Sequence, residues 1–102
     1  MIIKINIFST KKVYNLMLDE SKNFVEYNGM EKVMDIKTSF EKLIQIFSSW
    51  GNSNSELSYL DAENFKVEII DGENSKKFLG SGDYPENYQD FKNVVLEIVK
   101  CF

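Results

Sequence analysis

The sequence predicts a two-layer α+β domain in which an antiparallel sheet of four or five strands carries two helices on one face. Three observations lead to this prediction. Pairs of short alternating segments are typical of β-hairpins, two later segments each have a single apolar stripe at helical spacing, and turn residues separate these elements. The predicted order is β-β-(β)-α-β-β-α, where the bracketed element is a short strand.

The first hairpin consists of residues 2–8 and 13–19. The segment IIKINIF places three isoleucines on one face, VYNLMLD alternates in the same way, and the polar residues between the two form the turn. Residues 24–27 (FVEY) form the short third strand, which an Asn-Gly turn dipeptide at 28–29 closes. The pattern assigns no element from Met30 to Ile36.

The first helix is predicted at about residues 39–50. Thr38–Glu41 has the pattern of a capping box, in which a hydroxyl at the cap is followed three residues later by a carboxylate. Gly51 is expected to end the helix, because glycine adopts the left-handed conformation at low cost. The apolar residues that follow helical spacing are Phe40, Leu43, Ile44, Phe47 and Trp50.

The second hairpin is predicted after a loop at 51–56 and an extended segment at 57–60. Residues 64–70 (NFKVEII) form one strand, the segment 71–74 (DGEN) forms the turn, and residues 76–79 form the return strand. Two glycines, Gly80 and Gly82, are expected to break that strand.

The second helix begins after the only proline of the chain. Pro85 holds Tyr84 in an extended conformation, although Pro85 itself also fits the first helical position. Asn87 is the expected N-cap, and Asp90 lies in the first turn, where the helix dipole favours a negative charge. The residues expected in the core of the whole domain are Ile3, Ile5, Leu16, Leu43, Phe47, Val67, Ile69, Phe91, Val95 and Ile98, together with Phe40, Phe65 and Phe102.

Length and composition indicate one domain spanning residues 1–102. Cys101 is the only cysteine, so no internal disulfide can form and a reducing compartment is expected. The N-terminus lacks the long apolar run of a signal peptide, and no segment is apolar over the roughly 18 residues of a membrane span. We therefore expect a cytoplasmic protein without a membrane partner.

The charged residues are unevenly distributed. Residues 1–50 contain seven Lys and six Asp or Glu, a net charge of +1, whereas residues 51–102 contain five Lys and ten Asp or Glu, a net charge of −5. All the basic residues are lysines, and an acidic domain without arginine is poorly suited to phosphate backbones. We do not expect direct nucleic-acid binding. We expect a protein partner with a basic surface.

Few residues in the chain suit catalysis. The absence of histidine removes the commonest general base and prevents a Ser–His or Cys–His pair. Carboxylates at 61, 63, 71 and 73 lie in or near predicted turns and lack the ligand spacing of a calcium-binding loop. We expect no catalytic site, no metal and no cofactor.

Aromatic and acidic residues near the predicted loops are the candidates for contact with a partner. Tyrosine and tryptophan are enriched at binding hot spots. The rings can alternatively cover the edge of the core with their hydroxyls in water. The partner-binding candidates are Trp50, Tyr59, Asp71, Glu73, Asp83, Tyr84, Glu86 and Tyr88.

The string from Gly80 to Tyr88 (GSGDYPENY) resembles one found in small uncharacterised bacterial proteins. Their recurring features are a strand, a G-x-x-x-Y-P-x-N-aromatic string and a terminal helix, and the resemblance covers about residues 64–100. It implies a β-hairpin followed by a helix, and it implies no activity, cofactor or catalytic residue.

These observations favour a non-enzymatic protein-binding module, a small acidic inhibitor or immunity-type protein that masks a partner. One alternative is a phage-encoded anti-defence inhibitor of a nucleic-acid-handling enzyme. The other is a homo-oligomeric accessory or structural subunit. The pattern leaves the oligomeric state open.

Overall fold

The computed structural model describes residues 1–50, 63–81 and 84–102. Within these residues, six strands form one antiparallel sheet with two α-helices, which confirms the α+β class. The sheet has six strands and not the predicted four or five. The elements are β1 (Ile2–Phe8), β2 (Val13–Asp19), β3 (Phe24–Tyr27), β4 (Met30–Val33), α1 (Lys37–Ser48), β5 (Asn64–Asp71), β6 (Asn74–Ser81) and α2 (Tyr88–Val99).

The strand order is β4-β3-β2-β1-β5-β6, so β1 lies inside the sheet between β2 and β5. Two-residue turns close two of the hairpins. Asn28 and Gly29 both have positive φ angles (47° and 86°), as a type I′ turn requires. Gly72, with φ of 60°, is the first central residue of the turn between β5 and β6. These turns set the register, and hence the face on which each side chain lies.

The strand missing from the sequence prediction is β4, at the edge of the sheet. All four of its residues are exposed, so no apolar alternation marks it. Its backbone pairs with β3 over four residues, directly after the Asn28-Gly29 turn. The turn dipeptide therefore indicated a hairpin, and the strand after it was overlooked because an edge strand needs no buried face.

The core lies between one face of the sheet and both helices. Ile3, Ile5 and Ile7 are buried, and their alternation identifies the inner face of the sheet. Both helices pack buried residues into the same core, so they lie on one face, as expected. The buried apolar residues are Ile3, Ile5, Ile7, Leu16, Leu18, Val25, Ile36, Phe40, Leu43, Phe47, Trp50, Phe65, Val67, Phe78, Tyr88, Phe91, Val94, Val95 and Ile98.

Two residues expected in the core are not fully buried. Ile69 is partly buried and packs against the edge of the core. Phe102 is exposed because α2 ends at Val99, and its ring instead meets the edge of the Tyr27 ring at 5.5 Å between centroids. The helical spacing that predicted Phe102 as a core residue therefore continues in the sequence past Val99, where the helix ends.

The start of α1 differs from the predicted capping box. The helix begins at Lys37, so Thr38 lies in its first turn, and no side chain caps the helix at Ile36. The Asp35 carboxylate instead accepts a hydrogen bond from the Lys37 backbone N–H at 3.1 Å. Burial of Ile36 explains the earlier start, because the chain is already anchored in the core at that residue.

The return strand β6 extends through Gly80, which was expected to break it. Gly80 pairs with Phe65 of β5, and a Cβ atom at this position would overlap the Phe65 ring. The glycine thus makes room for the ring within a continuous strand. The predictions for residues 51–60, which include the stop at Gly51 and the loop and extended segment after it, and the prediction for Gly82 fall outside the described residues.

Neither described helix is long and apolar enough to cross a lipid bilayer.

The face of the sheet opposite the helices is called the open face. The alternation of the strands gives the residues of the open face as Ile2, Lys4, Asn6, Phe8, Val13, Asn15, Met17, Asp19, Phe24, Glu26, Glu31, Val33, Asn64, Lys66, Glu68, Ile70, Ser75, Lys77 and Leu79.

Substitution Gly80→Ala is expected to lower the free energy of unfolding by about 1–3 kcal/mol, because the added methyl group overlaps the Phe65 ring. Urea denaturation followed by circular dichroism measures this. In a Phe65→Leu background the same substitution should cost less, since the smaller side chain leaves space. Alanine usually stabilises a strand relative to glycine, so a gain in stability would contradict the overlap.

Candidate functional site

Trp50, a predicted partner-binding residue, lies in the core. Its side chain is only 5% exposed, and its ring packs within 5.5 Å (centroid to centroid) of Phe47, Phe65, Phe78 and Phe91. The indole Nε1–H donates a hydrogen bond to Oδ1 of Asn87 at 2.6 Å. Trp50 is therefore a structural residue at the centre of an aromatic cluster.

Asn87 joins the end of α1 to the start of α2. Its Nδ2 donates to Ser49 Oγ at 2.9 Å and to the Ile46 carbonyl at 3.4 Å, while its Oδ1 accepts from Trp50. Asn87 occupies the N-cap position of α2, as predicted, but its side chain caps no helix N–H. Sequence reasoning missed this bridge, although a buried tryptophan N–H needs a polar partner.

Tyr88, Glu63 and Lys92 form a second polar cluster beside the core. The Tyr88 hydroxyl donates to Glu63 Oε2 at 2.6 Å, and Lys92 Nζ lies 2.9 Å from Glu63 Oε1 in an ion pair. Tyr88 is 7% exposed, so most of its ring is core. Sequence reasoning assigned Glu63 to a solvated turn and made no prediction for Lys92.

Burial raises the pKa of Tyr88 well above that of a free tyrosine, and the neighbouring Glu63 carboxylate raises the pKa further. The Tyr88 hydroxyl therefore stays protonated and acts as a hydrogen-bond donor. Each oxygen of the Glu63 carboxylate already has its partner. The three side chains satisfy one another, so the cluster is poorly suited to transferring a proton to a substrate.

Tyr84 is the one predicted aromatic that the structure describes as exposed, at 39%. Its ring stacks on Tyr88, with centroids 4.4 Å apart and planes 17° apart. Its hydroxyl donates to the Glu63 backbone carbonyl at 2.7 Å. These contacts hold the ring in one orientation, with part of its surface in solvent.

The remaining predicted residues do not form one patch. Asp71 and Glu73 are exposed at the turn between β5 and β6, about 26 Å along β5 from Glu63 at a rise of about 3.3 Å per residue. Glu86 is exposed beside the start of α2. Tyr59 and Asp83 lie outside the described residues. The structure thus brings together Tyr84, Glu86 and Tyr88 and separates them from the hairpin acids.

A row of acidic residues at the start of α2 and along it escaped the sequence analysis. Glu86, Asp90 and Glu97 are exposed. Asp90 and Glu97 are seven residues apart and lie on one side of α2, whereas Glu86 lies in the turn that precedes the helix. Neither ion pair found in the described residues involves them. The helix dipole favours acids in the first turn only, and Glu97 lies in the last turn, which has no basic residue. We call Tyr84, Glu86, Asp90 and Glu97 the acidic row.

No three acidic or cysteine side chains converge on a possible metal position among residues 1–50, 63–81 and 84–102. Cys101 is exposed, and its thiol lies 3.5 Å from the Glu97 carbonyl.

Comparisons with known proteins found no family that matches the chain, and no curated protein or solved structure matched it significantly. The resemblance carried by Gly80–Tyr88 therefore stays a hypothesis.

Substitution Tyr88→Phe should make stability less sensitive to alkaline pH. Above pH ~10 an unfolded tyrosine loses its proton while native Tyr88 retains it, so the native state binds more protons and stability falls, by up to about 1.4 kcal/mol per pH unit. At pH ~7 the wild type should be more stable than the variant by about 1 kcal/mol, through the hydrogen bond to Glu63.

Urea denaturation between pH ~7 and pH ~11 checks this expectation. The difference in stability should shrink and then reverse above pH ~10. A difference that stays constant over this range would show that Tyr88 ionises alike in both states.

Proposed function

We propose that this chain is a non-enzymatic protein-binding module, a small acidic inhibitor or immunity-type protein that docks its acidic row onto a basic surface of a partner protein. The observation that carries the proposal is the combination of an immobilised, exposed aromatic ring with carboxylates that form no ion pair with any described residue. Each feature alone is common on protein surfaces.

The acidic row forms an elongated strip that a partner's surface can contact. Seven residues along α2 separate Asp90 from Glu97, which corresponds to about 10 Å at 1.5 Å per residue, and Glu86 precedes the helix. The nearby Lys92 pairs with Glu63 and so does not neutralise the row. Carboxylates that form no ion pair within the described part of the chain favour approach of a basic surface and repel acidic ones.

Tyr84 supplies the apolar anchor of this strip. Binding hot spots are enriched in tyrosine, and a side chain already held in its bound orientation loses little entropy on association. Stacking on Tyr88 and the hydrogen bond to Glu63 provide that restraint. The anchor lies two residues before Glu86, so aromatic and charged contacts can be made together.

The described residues also favour binding over catalysis. The polar cluster of Tyr88, Glu63 and Lys92 is internally satisfied, and Tyr88 is held protonated. A general acid or base needs a pKa near the working pH and room for a substrate, and this cluster supplies neither.

Charge reversal in the acidic row is expected to weaken binding to a basic partner strongly. The wild-type chain, immobilised at low salt, captures proteins from a lysate of its host, and a retained basic protein is purified for calorimetric titration. The triple variant E86K/D90K/E97K should raise the Kd at least about 100-fold, and Tyr84→Ala about 10-fold or more. Binding of the wild type should weaken as salt rises.

The matched control is E41K/D71K/E73K, which reverses three exposed acids outside the acidic row and changes the net charge equally. Its Kd should stay within a few-fold of wild type. Equal losses in the two triple variants, an affinity insensitive to salt, or no retained basic protein would each contradict the proposal.

A further inference from the structure

A groove of about 500 Å³ lies on the open face across β1, β2 and β3, and its size suits a small molecule. Asn28 lines it at the turn between β3 and β4. The Asn28 side chain accepts a hydrogen bond from the Asn15 backbone N–H at 2.8 Å and donates one to the Val13 carbonyl at 3.2 Å, so this wall is fixed before a ligand binds. The other polar side chains that line the groove are Lys4, Asn6, Asn15 and Glu26.

The groove has one negative and one positive charge on either side of a methionine. The strand registers place Glu26, Met17 and Lys4 in one row across β3, β2 and β1. Neither Glu26 nor Lys4 forms an ion pair within the described residues. Glu68, which lies opposite Lys4 on β5, pairs instead with Lys77 at 3.5 Å. A ligand that carries both charges can therefore satisfy the carboxylate and the ammonium together.

The position of Glu26 favours a cationic group beside it. Glu26 is partly buried and lies directly opposite Glu31 on β4, on the same face of the sheet. Like charges directly opposite one another destabilise a sheet. A ligand ammonium at Glu26 relieves this repulsion.

Two asparagine side chains, here called the amide pair, line the groove in the row next to Lys4 and Met17. Asn6 and Asn15 are directly opposite each other on β1 and β2, so their Cβ atoms are about 5 Å apart. Neither side-chain amide forms a hydrogen bond within the described part of the chain. Because an amide both donates and accepts, the amide pair complements an amide group on a ligand.

We propose that the groove binds a free amino acid with an amide side chain, asparagine or glutamine. Its ammonium contacts Glu26, its carboxylate contacts Lys4, and its side-chain amide contacts the amide pair. The ligand is thus held at three points by groups that lack partners in the described chain.

The spacing of the two charges favours one amino acid over a peptide. The Lys4 and Glu26 backbones are two strand spacings apart, or about 10 Å. Charge-assisted hydrogen bonds of about 2.8 Å at each end leave about 4 Å between the charged groups of the ligand, when both side chains stand perpendicular to the sheet. The N–Cα–C unit of one amino acid spans about 2.5 Å, and each further residue adds about 3.5 Å.

Titration of the isotopically labelled full chain with L-glutamine, followed by NMR, tests the proposal. A Kd between about 0.1 and 10 mM is expected for so small a ligand, with chemical-shift changes on β1, β2 and β3 and none on α2. L-leucine, which has a similar size and no amide, should bind at least about 5-fold more weakly. N-acetyl-L-glutamine lacks the ammonium and L-glutaminamide lacks the carboxylate, and each should bind at least about 10-fold more weakly.

Substitutions Lys4→Gln and Glu26→Gln should each raise the Kd for L-glutamine at least about 10-fold. The matched controls are Lys66→Gln and Glu73→Gln, which remove the same charges from exposed residues that do not line the groove. Their Kd should stay within about two-fold of wild type. Circular dichroism verifies that each variant is folded.

Three results would each overturn the proposal: no saturable shift change up to about 20 mM L-glutamine, equal affinity for L-glutamine and its acetylated form, or equal effects of groove and control variants. None of these results bears on the acidic row, which lies on the helix side and which E86K/D90K/E97K tests separately.

Discussion

The hydrogen bond between Trp50 and Asn87 is the contact on which the arrangement of the helices depends. It closes the aromatic core at the point where α1 ends and α2 begins, and the same Asn87 amide binds Ser49 and the Ile46 carbonyl. Four phenylalanine rings surround the indole. A buried indole N–H without an acceptor would cost about 1–3 kcal/mol, so the amide fixes both the tryptophan and the start of α2.

Because the Trp50–Asn87 contact holds both helices on one side of the sheet, the molecule has two different surfaces. With both helices on the inner face, neither described helix covers the opposite face of the sheet, and α2 turns its acidic side outward. Tyr84 and Tyr88 stack immediately after Asn87, so the anchor that fixes α2 also positions the exposed aromatic ring. The proposed contact with a basic partner thus lies on the helix side of the core.

Local patterns predicted those parts of the fold whose signal lies within one element. Alternation located β1, β2 and β5, and the apolar stripes located both helices to within about two residues. The edge strand β4 was missed because its residues are all exposed. Gly80 was wrongly predicted to end β6, because the need for a glycine there comes from the Phe65 ring on the other strand of the hairpin.

The partner-binding residues were predicted less well than the fold. Trp50 looked available for binding because its partner, Asn87, is 37 residues away in sequence. Asp90 and Glu97 of the acidic row were readable from their spacing on α2.

The most direct test of this account is a double-mutant cycle for Trp50→Phe and Asn87→Leu, measured by urea denaturation. Trp50→Phe keeps an aromatic ring and removes the N–H, while Asn87→Leu removes the acceptor. If this hydrogen bond locks the helices together, the double variant should lose about 1–3 kcal/mol less than the sum of the single losses. Losses that add to within about 0.5 kcal/mol would mean that the two side chains stabilise the fold independently, and the account would be wrong.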